Sequence, residues 1–174
     1  MANVLIGIIG VILFIGLALA ALLFLGPQFQ QATNNSKGSA AVQVTAQVAQ
    51  AANLAYEQTG TQMTASTSVT AQLVTPGYLK VVPTNPVVAA NVPEMMTTAG
   101  VVASGNANVA VLNIGTADQI CTQVGIQTGQ LASSATAPAT GTVFPTAPVS
   151  GCIKAATGAG AGMTVGNDYV FTNI

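Results

Sequence analysis

Histidine, arginine and tryptophan are missing from this 174-residue chain, and ionisable side chains of any kind are scarce: three lysines and four carboxylates, for a net charge of -1. Each shortage closes off a class of chemistry. A chain with so few cations has nothing with which to grip phosphate backbones, so nucleic acid is not an expected partner. With no histidine and only Glu57, Glu94, Asp118 and Asp168 as acids, no spacing suggests a working acid-base pair, and a metal site has almost no ligands to draw on. No catalytic residue, cofactor or metal is expected, and each carboxylate reads as a solvated charge or a helix cap. The only tyrosines are Tyr56, Tyr78 and Tyr169, so no aromatic cluster marks a binding hot spot.

What is abundant is apolar and neutral-polar. The hydrophobic fraction is 51%, yet most of it is Ala and Val scattered among Thr, Ser, Asn and Gln. Such a surface, solvated by hydroxyls and amides, lets subunits pack side by side without like-charge repulsion. One domain is the default for this length.

The two cysteines, Cys121 and Cys152, leave two readings open. A disulfide is favoured over a pair of free buried thiols, because the chain offers no partners for a metal site. Such a bridge would close a loop rich in Gly, Ser, Thr, Ala and Pro, worth about 3–4 kcal/mol in the chain-entropy account. It would also place this part of the chain outside a reducing cytoplasm.

Only residues 4–25 (VLIGIIGVILFIGLALAALLFL) are continuously apolar. As a helix they span about 33 Å, enough to cross a bilayer. A secretory signal peptide competes for the same segment, with Ala18-Leu19-Ala20 as a small-x-small cleavage site. Against it, the run continues to Leu25 and no basic region precedes it. The first cation is Lys37, whereas orientation rules place cations on the cytoplasmic side of a first span. This leads to the expectation that a basic leader in front of Met1 has been removed and that the numbering is that of the mature form. Gly7, Gly10 and Gly16 supply small residues, Gly16 and Ala20 at small-xxx-small spacing, where backbones can approach closely in lipid. The plainer reading is the general frequency of Gly and Ala in membrane helices.

Gly26-Pro27 is expected to end or kink this helix, since proline lacks an amide proton and disfavours helical geometry in the residue before it. After an amide-rich stretch, a second helical pattern begins at Ser39, with Val44, Val48, Ala51, Ala52 and Ala55 on one stripe and Gly60 as its stop. Residues 63–93, dense in Thr and Ser and broken by Pro76, Pro83 and Pro86, read as loop with short elements. Residues 108–114 (NVAVLNI) fit a buried strand. Thr116-Ala117-Asp118-Gln119 matches a capping box opening a short helix that carries Cys121 and stops at Gly125. Residues 163–174 read as two short strands around a Gly166-Asn167-Asp168 turn. The alternating Gly and Ala of residues 158–162 lack the spacing of a phosphate-cradling loop. Asn34-Asn35-Ser36 is a glycosylation sequon, and the hydroxyl-rich residues 61–70 are a second candidate for sugars.

Taken together, the apolar N-terminal helix, the Gly-Pro interruption, the amphipathic continuation, the proline-punctuated middle and the late cysteine pair resemble type IV pilins over the whole chain. The detail is closest to the type IVb-like group, whose mature chains often begin with methionine, as Met1 does here. Ala71-Gln72-Leu73, Gly77-Tyr78-Leu79 and Cys121-Thr122-Gln123-Val124 look like that group's loop and cysteine-bearing helix. One departure stands out: pilins generally carry a glutamate at the fifth mature position, thought to pair with a neighbour's terminal amine, and here that position is Leu5.

The resemblance implies an α+β fold, a long N-terminal helix packed on a small antiparallel sheet. It divides the chain into a polymerisation helix (1–27), its continuation (28–60) and a globular head with a disulfide loop (61–174). It implies a non-enzymatic structural subunit, extracted from the inner membrane by a pilus assembly machine into an extracellular filament of identical copies. The polymerising positions would be Met1, Leu5, Gly7, Gly10, Ile12, Gly16, Ala20 and Phe24. The alternative is a minor pilin or a membrane-anchored module that binds a surface.

Overall fold

The computed structural model describes residues 2–102 and 104–174, without the side chains of residues 2–5 and of Phe24. The fold is α+β, built from a long N-terminal helix and a five-stranded sheet. Helix α1 (Ala2–Thr59) precedes a π-helical turn (Thr70–Val74), strands β1 (Glu94–Met96) and β2 (Val109–Gly115), and helix α2 (Asp118–Gln127). Strands β3 (Ala139–Gly141), β4 (Ser150–Ala155) and β5 (Asp168–Asn173) complete the chain. Two compact units make it up, Met1–Asn34 and Asn35–Ile174.

The expected helix break at Gly26-Pro27 does not end α1, which contains Pro27 and runs on to Thr59. Proline removes a single amide donor, here the partner of the Leu23 carbonyl. Gly26 in front of it has no Cβ to crowd the ring, so the helical geometry survives. The expected stop at Gly60 holds: Gly60 adopts φ +64° and its N–H donates to the Tyr56 carbonyl at 2.8 Å.

In the second unit the sheet runs in the order β1-β2-β5-β4-β3, antiparallel except for the β3–β4 pair. The two-residue period sorts its side chains cleanly. Ala110, Leu112 and Ile114 of β2, Cys152 of β4 and Val170 of β5 lie in the clusters shared with α1 and α2. Val109, Val111, Ile153, Ala155, Tyr169 and Phe171 join Phe144 and Met163 on the opposite face. Both faces are therefore buried, one by helices and the other by the β1–β2, β3–β4 and β4–β5 connections, which supply Val102, Phe144 and Met163. That double burial explains why residues 108–114 read as a near-continuous apolar run.

The stripe predicted on α1 is the buried one: Val44, Val48, Ala51, Ala52 and Ala55 are all in the core. Its alanines let helix and sheet approach closely. Gly38 does the same where α1 meets α2, since a Cβ there would come within 2.9 Å of Val124 Cγ2. A buried hydroxyl contact, Thr45 Oγ1 to Thr172 Oγ1 at 2.8 Å, ties α1 to β5.

Residues 163–167 are turns rather than a strand, so the expected terminal hairpin is replaced by one strand, β5, which pairs with β2 and β4. Sheet pairing across the chain takes the hydrogen bonds a local hairpin would have used. The Gly-rich residues 158–162 have a packing role. A Cβ on Gly160 would overlap the Ala99 carbonyl oxygen, and Gly162 donates its N–H to the Gly100 carbonyl at 2.9 Å.

Candidate functional site

Among the described residues, each unit has a feature of its own that bears on function. In the first unit, the described side chains from Ile6 to Leu25 are all exposed, Phe14 at 74% and Leu23 at 77%. A Cβ built on Gly7, Gly10, Gly16 or Gly26 would meet nothing within 4 Å. The segment is long and apolar enough to cross a membrane, with a mean hydropathy of 3.1 over its most apolar stretch. Ile12, Gly16 and Ala20 are exposed along it. Met1 lies outside the described residues, as do the side chains of Leu5 and Phe24. The helix has no polar face here, so its apolar character surrounds it. Such a surface is compatible with lipid or with other equally apolar helices, and not with water.

In the second unit, Cys121 of α2 and Cys152 of β4 form the expected disulfide, with Cα atoms 5.3 Å apart and both residues fully buried. Gln130 braces the bridge, its Oε1 accepting from the Cys152 N–H at 2.8 Å. The expected capping box is displaced. The residue at the N-cap of α2 is Ala117, whose side chain has no acceptor, and the helix runs past Gly125 to Gln127. The cap comes from another strand: Asp168 Oδ2 accepts from the Ala117 N–H at 2.6 Å. Register places Asp168 opposite Lys154 of β4 and beside Gly115 of β2. Lys154 Nζ in turn donates to both Asp118 oxygens, at 2.6 and 2.8 Å.

These three residues perturb one another. The Lys154 ammonium holds the Asp118 carboxyl below its ordinary value, and Asp118 raises Lys154. Asp168 has no exposed surface, and desolvation together with the Asp118 charge pushes it up to about 6. Its Oδ1 is buried without a hydrogen-bond donor. Separately, partial burial raises Glu94 on β1.

A second polar knot pins the proline-punctuated middle. Asn85, almost fully buried, accepts from the N–H groups of Val87 and Val88 and donates to the Asn113 carbonyl, which also receives Asn91. Among the described residues no group of three or more His, Cys, Asp or Glu is placed to hold a metal ion.

No protein-family model, curated protein or solved structure matches this chain.

Sequence reasoning identified the apolar helix and both cysteines. It missed the joining of Asp118, Lys154 and Asp168, which lie far apart in sequence. It also missed Asn85 and Asn113 as anchors. The one legible hint was Asp168's position at the start of a β-rich segment, where a carboxylate in an otherwise apolar run needs a reason to be there.

Proposed function

We propose that the chain is the structural subunit of an extracellular filament of the type IV pilus kind, polymerising through the apolar helix of residues 4–25. The observation that carries the reading is the exposure of every described side chain from Ile6 to Leu25 beside a second unit with a closed, disulfide-bridged core. Each large apolar side chain is worth about 1.5–3 kcal/mol when taken out of water, so wetting the whole segment costs on the order of tens of kcal/mol. The segment is stable only in lipid or among its own kind. Lipid is as apolar as leucine, so the move from membrane to filament gains packing rather than hydrophobic energy, and small residues such as Gly16 and Ala20 are where that packing is closest. The charge-poor surface of the second unit suits dense lateral contact.

Placing a charge on the helix, as Ile12→Glu or Gly16→Glu, should abolish filaments in electron micrographs while the disulfide still forms in the membrane-held chain. Abundant filaments from either variant would overturn the reading. Copy number in isolated filaments separates a main subunit, present in thousands, from a minor or anchored binding module, present in a few.

A further inference from the structure

The most unusual group in the second unit is Asp168: a carboxyl with no exposed surface, one oxygen bonded to the Ala117 N–H and the other without any donor. A buried acceptor left without a donor is costly, and ionised carboxylates are the costliest case. Three elements face it. From α2 comes Asp118, next in the chain to the Ala117 that donates to Asp168 and bonded to Lys154, the register partner of Asp168; from β4 comes Lys154 itself; β2 presents Gly115 and carries no ionisable group. The Lys154 ammonium is already engaged with both Asp118 oxygens. If both acids were ionised, two negative charges would confront one cation with one of them fully desolvated. A proton on Asp168 removes that conflict, since it satisfies the orphan oxygen and turns carboxylate repulsion into an O–H···O⁻ bond.

We propose that Asp168 and Asp118 share one proton, and that this bond locks the disulfide-bearing helix α2 onto β5 most tightly in mildly acidic surroundings. On ionisation the lock weakens: the O–H···O⁻ bond is lost, and the remaining tie at that point is the Ala117 N–H. The device operates within the second unit and does not depend on whether the chain polymerises. The pair titrates as a unit, so its midpoint belongs to both carboxyls together.

The test is a carboxyl-carbon NMR titration of the full chain in detergent micelles, with Asp168 and Asp118 assigned. The expected result is an Asp168 midpoint about 6, moving down in Asp118→Asn because the facing charge is gone. An Asp168 midpoint near the ordinary 3.8 in the wild-type chain overturns the proposal without recourse to any variant. Asp168→Asn, which mimics the protonated form, supplies a second readout. Its melting temperature should stay level from mild acid to neutrality where the wild type declines. A parallel decline in both chains, with the Cys121–Cys152 bridge intact by mass, would equally overturn it.

Discussion

The two units of this chain solve opposite problems with the same scarcity of charge. Residues 6–25 present apolar side chains on every side, and every one that is described there is exposed. Residues 35–174 bury both faces of a sheet and tie buried polar side chains into specific hydrogen bonds at Asn85 and Thr45, while Asp168 has one oxygen bonded and the other without a donor. One unit exposes its apolar side chains; the other gathers most of its large ones into a core. The difference teaches that a hydrophobic fraction of 51% says little until it is known whether it is gathered or dispersed.

The sharpest way to break this comparison is to cut the chain between Asn34 and Asn35. The remainder is expected to lose detergent-phase partitioning completely and to keep its disulfide and its cooperative melting. A remainder that partitions with detergent would mean the second unit carries an apolar surface of its own. Next in size is Cys121→Ser with Cys152→Ser. Opening a loop of sequence separation 31 should cost about 3–4 kcal/mol in denaturant unfolding of the second unit, while membrane association stays as it was.

The pH profile comes third. Asp168 is raised from 3.8 to about 6, so its contribution to stability is whole below 3.8 and is lost as pH rises through about 6. That loss is at most on the order of 3 kcal/mol and belongs to the Asp118–Asp168 pair together. Asp118, held low by Lys154, acts with the opposite sign: its contribution is present above its ordinary value and is lost as pH falls through the depressed one. Stability should therefore peak at about pH 4 and decline from there to about pH 6, and chemical denaturation at stepped pH would detect a maximum elsewhere.

A smaller effect is expected at Gly160, where any Cβ meets the Ala99 carbonyl: Gly160→Ala should cost about 1–3 kcal/mol through local displacement. The smallest belongs to Lys154→Gln. Its ion pair with Asp118 is partly solvent-exposed, so a slight loss of melting temperature should shrink in high salt.

Much of this architecture could be read directly. The amphipathic stripe of α1, its stop at Gly60, the strand at residues 109–115, the loop-rich middle and the cysteine pair all rest on local period, turn chemistry or simple counting. The failures share a cause. Gly26-Pro27 reads as an end or a kink, and the helix does not end there, because a proline removes one hydrogen bond and a long helix tolerates that. The capping box at Thr116 and the hairpin at residues 163–174 are sound local motifs that lost to distant partners, Asp168 for the cap and β2 and β4 for the strand. The glycines of residues 158–162 have no local signature, because their reason is the backbone of residues 99–100 lying against them.

The sequence by itself determined where the apolar material is gathered, which helix face is buried and how few charged groups are available, because these follow from period and composition along the chain. Only the tertiary structure decided that Asp118, Lys154 and Asp168 meet, that Asn85 and Asn91 converge on Asn113, and that α2 takes its cap from β5. Those pairings join residues from 14 (Lys154 with Asp168) to 51 positions apart. Their energies depend on burial and on hydrogen-bond geometry, which exist only once the sheet has closed around them.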